Sequence, residues 1–301
     1  MEVNGAKGHI SAFVTVMIWG TAFISTRILL SDFQPIEIIF YRFSIGLLVL
    51  MIAYPRRLKG TNKKEELMFA AAGLCGITLY FLLEKIALTF TAASNVGVIV
   101  SVTPFFTALL ANWLLDDEKP KANYFVGFIT AIIGIFLISF NGVAVLELNP
   151  LGDILALSAA IVFAVYSILL RKIGQYGYNT IQTTRRIFFY GLVILTPILF
   201  LFQFEFGFER FARPANAFNI LFLGFGASAL CFVTWNLAVR ILGAVKTSFY
   251  IYLVPVITIV TSVIVLRERV TWMSALGTIL TLAGLFISES KIKITSKEQI
   301  V

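Results

Sequence analysis

Charge is scarce in this chain. Asp, Glu, Lys and Arg together make up 13% of its 301 residues, where a soluble domain carries about 25%. That scarcity excludes a water-soluble globular domain. Cysteine is nearly absent too, and both copies, Cys75 and Cys231, fall inside apolar runs, where they read as small buried hydrophobes rather than as a disulfide or a metal site. The single histidine, His9, opens the first apolar run, and no His-Glu-x-x-His motif occurs, which removes the usual zinc-hydrolase signature. A phosphate loop of the form Gly-x-x-x-x-Gly-Lys-Ser/Thr is also missing. The longest hydrophilic breaks, 54–66 and 205–216, leave no room for a nucleotide-binding domain. These absences argue against an enzyme, a bound cofactor or metal, and direct use of ATP.

What fills the chain is apolar: 59% of residues are hydrophobic and the mean hydropathy is +0.91. Lipid is the solvent such a surface needs, and in lipid the backbone must pair its own polar groups in helices or a closed barrel. Barrel strands alternate apolar and polar residues, whereas runs such as 122–140 and 151–170 are apolar all round and near the length a helix needs to cross the hydrocarbon. The expectation is an all-α integral membrane fold with ten transmembrane helices at about 10–30, 35–55, 66–88, 92–115, 122–142, 152–172, 180–204, 216–240, 244–266 and 270–288. No cleavable leader is expected, because the first run continues through Trp19 as a full span.

The formal net charge of +8 points to nucleic acid only until the charges are placed. With both termini in the cytoplasm, fifteen Lys and Arg fall in inner loops and five in outer ones. This is the positive-inside pattern of a multi-pass cell (inner) membrane protein, and it leaves no reason for a nucleic-acid partner.

The runs also repeat. Pro104 falls on Pro255, Ala87 on Ala238 and Thr107 on Thr258 at an offset of 151, while Arg42 falls on Arg186 and Arg27 on Arg171 at 144. Gly127 and Gly134 fall on Gly277 and Gly284 at 150. Five spans per copy is an odd number, so the second copy enters the membrane from the opposite face, giving two inverted five-helix repeats. The expected units are 9–142, 151–288 and a cytoplasmic tail at 289–301.

Trp19-Gly20 in the first helix, Arg42 in the second, and the Ala…Ala-Ser…Pro…Thr…Leu…Glu pattern that ends each fourth helix make the chain resemble the drug/metabolite transporter superfamily, specifically its EamA-type members. The resemblance covers 9–288. It implies a transporter of amino acids, metabolites or drugs, or an exchanger of sugar phosphates or nucleotide sugars, with a central cavity lined mainly by the third, fourth, eighth and ninth helices. One departure is Asp116-Asp117-Glu118 in place of a lone acid, which leaves open which of the three matches Glu268.

Pro104 and Pro255 lack the amide that a helix uses, and so mark kinks and candidate gates in the fourth and ninth helices. Ionisable groups inside spans are costly and face an interior or a water-filled cavity. They number Arg42, Glu84, Lys85, Arg185, Arg186 and Lys246. Arg42 and Glu84 are expected as an ion pair, while Arg186 finds no acid at the matching place, where Trp235 offers only an aromatic face. Trp19, Arg42, Tyr80, Glu84, Asn95, Arg186, Trp235, Asn236, Lys246 and Tyr250 form the candidate substrate-binding set. Arg185, Arg186 and Lys246 would give the cytoplasmic mouth a positive potential suited to an anion. Glu84 is the acid placed to relay a proton, with a structural role beside Arg42 as the alternative.

The function expected is secondary-active export of small metabolites such as amino acids by alternating access through a central cavity, with a passive exchanger or channel for anionic metabolites of the sugar-phosphate or nucleotide-sugar type as the second reading. The glycines at 127, 134, 277 and 284 mark a smooth face for helix packing, and monomer and homodimer both stay open.

Overall fold

A backbone immersed in lipid pairs its N–H and C=O groups within helices, and the computed structural model is helical throughout, with no strand among the described residues. The structure describes residues 2–90, 93–118, 120, 122–140, 149–202, 204–266 and 271–289. Helix α1 spans Glu2–Leu29 and α2 Pro35–Ala53. The third run is α3 (Lys63–Gly73), a π-helical turn (Leu74–Leu79) and α4 (Tyr80–Phe90). The fourth is α5 (Ala93–Val100) and α6 (Thr103–Leu114), followed by α7 (Ala122–Phe140). The second half opens with α8 (Pro150–Gly174) and α9 (Thr180–Leu201). Then come α10 (Pro214–Phe222), a second π-helical turn (Leu223–Leu230) and α11 (Cys231–Leu242). The chain ends in α12 (Ala244–Phe249), α13 (Leu253–Leu266) and α14 (Trp272–Glu289).

Among the described residues, eight stretches are long and apolar enough to cross a membrane: Gly5–Thr26, Pro35–Ala53, Lys63–Ala87, Val96–Leu114, Pro150–Gly174, Thr180–Leu201, Pro214–Leu242 and Ala244–Thr261. Two shorter apolar helices, Ala122–Ile138 and Trp272–Ser288, complete the set. Large apolar side chains such as Ile129, Phe200, Phe218, Ile264 and Phe286 stand exposed on the outside of the bundle, which is where lipid replaces water as solvent.

The two prolines sit just after breaks in their helices. Pro104 occupies the first turn of α6, after α5 ends at Val100. The Val100 carbonyl, deprived of the amide that Pro104 lacks, accepts instead from the Thr103 hydroxyl at 2.6 Å. Pro255 lies in the first turn of α13, after a short 3-10 turn at Tyr250–Tyr252.

Helix α1 packs on α10, its π turn, α11 and α13, whereas α8 packs on α3, the other π turn, α4, α5 and α6. Helix α2 lies against α9 and the second π turn, and α9 against α3 and the first. Helices α7 and α14 pack together along their length. Gly134 and Gly277 face one another there, each leaving its missing Cβ only 2.5 Å from the other's carbonyl oxygen. The glycine face read from the sequence is therefore occupied within one chain, and Asn123 Nδ2 fastens it by donating to the Ile287 and Ser288 carbonyls at 3.1 Å.

Candidate functional site

Aromatic and polar side chains converge at the centre of the bundle. The Trp19 ring from α1 lies 5.1 Å from Trp235 of α11, 6.2 Å from Phe163 of α8 and 5.9 Å from Phe232, while Tyr80 of α4 reaches Phe163 at 4.9 Å. Trp19 Nε1 donates to the Ala227 carbonyl of the second π turn at 3.0 Å. Behind the rings runs a polar chain. Tyr166 Oη donates to Asn236 Oδ1 at 3.1 Å, and Asn236 Nδ2 donates to Thr184 Oγ1 at 2.9 Å. Trp235 has no solvent exposure, and its Nε1 has no hydrogen-bond partner among the described residues.

Arg42 joins this centre from α2, and its environment corrects the expected pairing with Glu84. Its Nε donates to Ser228 Oγ at 2.9 Å, and its guanidinium lies over Phe43 and Phe81 at 5.1 and 5.0 Å. Glu84 forms its ion pair with Lys85 at 3.2 Å and acts on Arg42 through space as a counter-charge rather than as a ligand. The sequence offered no sign that a π turn would deliver Ser228 to Arg42.

Arg186 is the second correction. It has an acid after all, since Nη2 meets Glu66 Oε1 of α3 at 2.8 Å, where Glu66 also accepts from Tyr190 Oη at 2.5 Å. The partner comes from a different span than repeat matching suggested. Arg185 donates to the carbonyls of Tyr54 and Arg56 at 2.8 Å each. Lys246 is exposed on α12, and Tyr250 shares a 2.6 Å hydrogen bond with His9 Nδ1. Trp19, Arg42, Tyr80, Trp235 and Asn236 are thus brought together, Glu84 borders them, and Arg186, Lys246 and Tyr250 stand elsewhere. The side chain of Asn95 and the whole of Glu268 lie outside the described residues.

Charged side chains pair at both ends of the bundle. At the end carrying the start of α1, Arg171 pairs with Asp117, and its Nε lies 2.8 Å from Glu118 Oε1 with the N–H not aimed at the oxygen. Glu118 accepts from the amides of Ala244 and Val245 at 3.0 Å each, so it caps α12. Burial raises the Glu118 carboxyl above its ordinary range, against the lowering effect of those two amides and Arg171. At the other end Arg210 grips Glu37 in a two-pronged pair at 2.9 and 3.0 Å and lies over Phe33 at 4.5 Å. Hydrogen bonding to Glu37 raises the Arg210 guanidinium further. Arg213 pairs with Asp32 at 2.6 Å, and the Asn216 amide, followed by Arg213, holds the Asp32 carboxyl below its usual range. Glu37 escaped the sequence reading, although Pro35 with an acid in the first turn was a legible helix start.

Among the described residues no three His, Cys, Asp or Glu side chains gather closely enough to hold a metal ion. Long apolar helices around a buried aromatic and polar centre, with ion pairs at both ends, define a multi-pass membrane protein. The family model described as the EamA-like transporter family matches residues 6–140 and 150–289, and the chain belongs to that family. It is a membrane transporter, with a small molecule as its substrate and the lipid bilayer as its surroundings.

Relatives span the whole length. An uncharacterized transporter of Archaeoglobus fulgidus is 27% identical, covering 95% of this chain and 98% of that one. The uncharacterized transporter YyaM of Bacillus subtilis is 25% identical, over 97% and 98%. A protein named a probable terminal-alkyne amino-acid exporter, from Streptantibioticus cattleyicolor, is 25% identical, over 91% and 90%. One crystal structure superposes with a TM-score of 0.77 at 17% identity, covering 94% of this chain and 97% of the other, a likeness of fold alone.

Proposed function

We propose that the chain is a secondary-active exporter of small amphipathic metabolites such as amino acids. In this reading ten helices form two inverted five-helix halves, 9–142 and 151–288, which alternate access to one central site from the two faces of the cell membrane. Both termini are cytoplasmic. The observation that carries it is an exchange of partners. The first span packs on the eighth and ninth, and the sixth span packs on the third and fourth, as two halves related by an axis in the membrane plane would. The interruptions before Pro104 and Pro255 fall at matching places and supply the hinges. The ion pairs at the two ends act as gates that open in turn.

The central site suits a cargo with an apolar body and one or two polar groups. Trp19, Tyr80, Phe163 and Trp235 supply the faces, Trp235 Nε1 an unspent donor, and Arg42 a charge for a carboxylate. The name of the Streptantibioticus cattleyicolor relative agrees with amino-acid export. The anion-exchanger reading draws less support from Arg186, which pairs with Glu66, and from Arg185, which donates to backbone carbonyls.

Counterflow in proteoliposomes tests the reading. Uptake of labelled amino acid accelerated by unlabelled amino acid on the far side supports it. Flux of all tested amino acids, sugars and phosphates that is either nil or indifferent to the far side rejects a carrier of this kind.

A further inference from the structure

An open cavity of about 560 Å³ lies away from the central site, between the end of α2 and the start of α9, with Met51, Arg57, Gln182, Arg185, Arg186 and Phe189 in its lining. Its wall is built rather than incidental. Arg185 holds the Tyr54 and Arg56 carbonyls, and Gln182 Nε2 donates to the Arg56 carbonyl at 3.0 Å. The segment after α2 is thereby pinned to α9.

The lining divides into two chemistries. Arg57, Arg185 and Arg186 bring three positive charges, and Glu66 on Arg186 offsets one of them. Arg57 is exposed and makes no ion pair with any described residue, and among them the buried Nε of Arg186 has no hydrogen-bond partner. Arg57 and Arg186 both act on Arg185 as like charges. With Arg186 paired to Glu66 and Arg185 held by two carbonyls, Arg57 is the guanidinium left without a counter-charge among the described residues, and the three together keep a net positive charge after Glu66 is counted. On the apolar side, Met51 is 42% and Phe189 43% exposed, next to Ile52 at 80%. Met51, Ile52 and Phe189 lie within the spans Pro35–Ala53 and Thr180–Leu201, so these bare apolar groups fit a lipid-facing rim.

We infer that this cavity is a binding site for the phosphate headgroup of an anionic phospholipid. The guanidinium groups of Arg57 and Arg186 take the phosphodiester oxygens, and the glycerol and upper acyl chains run over Met51 and Phe189 into the bilayer. In the orientation proposed above the site faces the cytoplasmic leaflet, where basic pockets between helices collect such lipids. A free phosphate metabolite would share the guanidinium contacts but gain nothing from the apolar rim. The lipid is therefore the occupant that uses the whole site.

Native mass spectrometry of the full chain in neutral detergent tests this without reference to transport. Dioleoyl phosphatidylglycerol is expected to bind at least fivefold more tightly than dioleoyl phosphatidylcholine, and a tenfold excess of glycerol 1-phosphate is expected to leave it in place. R57Q should weaken the phosphatidylglycerol adduct about fivefold, in keeping with roughly 1 kcal/mol per basic residue at a membrane surface, and leave phosphatidylcholine unchanged. M51E, on the apolar rim at the end of α2, should weaken it at least as much. Equal binding of the two lipids overturns the proposal. So does displacement by glycerol 1-phosphate, or phosphatidylglycerol binding that both variants leave intact.

Discussion

Gly243 and the carboxylate of Glu118 stand in contact at one end of the bundle: a Cβ on Gly243 would lie 2.5 Å from Glu118 Oε1. Gly243 has φ 91° and ψ 164°, a region that residues with a side chain scarcely enter. The absence of a side chain thus lets the chain turn and lets Glu118 reach the first amides of α12. G243A should destabilise the protein by about 1–3 kcal/mol through backbone strain alone, with loss of the cap in addition. Thermal melting of the purified protein checks this. A melting temperature equal to wild type would show that the cap is not needed.

The two ion pairs at the opposite end are expected to differ sharply. Glu37 is 1% exposed, so removing its partner strands a buried carboxylate, at a cost of about 3–5 kcal/mol. Arg213 has a 70% exposed side chain, where a pair contributes about 0–1 kcal/mol. R210Q should therefore lower the melting temperature markedly and R213Q hardly at all.

Sequence made the main lines of this molecule legible for a plain reason. In lipid, hydropathy and length nearly decide where a helix runs, so α2, α8 and α9 begin and end close to their apolar runs. Glycine spacing likewise marked a smooth packing face on α7 and on α14, though not that each is the other's partner. The breaks inside spans were less legible. Pro104 and Pro255 marked two of them, but nothing in Leu74–Leu79 or Leu223–Leu230 announces a π turn, and it is the second that presents Ser228 to Arg42. Charge partners were missed for the same reason. The meeting of Arg186 with Glu66 depends on how α9 lies across α3, which no matching of one half onto the other reveals.

Titration should separate Glu118 from Asp32. Because the folded carboxyl of Glu118 is raised above its ordinary 4.5, its favourable contribution is complete below that value and is lost as pH rises through the folded pKa. Any stability advantage of wild type over E118Q should accordingly shrink between pH 4.5 and pH 7. Asp32 is lowered from 3.8, so its contribution is complete above that value and is lost only as pH falls through the folded pKa. The difference between wild type and D32N should stay flat over the same window. Melting curves at three pH values decide both.

W235F keeps the central ring and removes the unpartnered donor. A buried donor without a partner costs about 1–3 kcal/mol, so the unliganded variant should be as stable as wild type or more so. Cargo affinity should nonetheless fall about tenfold if Trp235 Nε1 donates to the cargo. Ligand-induced thermal shifts for wild type and W235F report both quantities, and an unchanged shift removes Trp235 from the site.

E84Q tests whether the one acid bordering the centre moves a proton. With coupling, transport driven by a pH gradient is abolished while counterflow without a gradient persists. If gradient-driven transport survives with its pH dependence intact, Glu84 serves only as the counter-charge of Arg42 and Lys85.

Inversion of the two halves is tested most directly at a pair of corresponding loops, the one holding Lys59 and the one holding Glu209, both exposed. K59C and E209C, each introduced with Cys75 and Cys231 changed to alanine, are labelled in intact cells and in inside-out vesicles with a membrane-impermeant maleimide. With the halves inverted, the K59C protein reacts only in inside-out vesicles and the E209C protein only in intact cells. Labelling of both variants from the same side would contradict it.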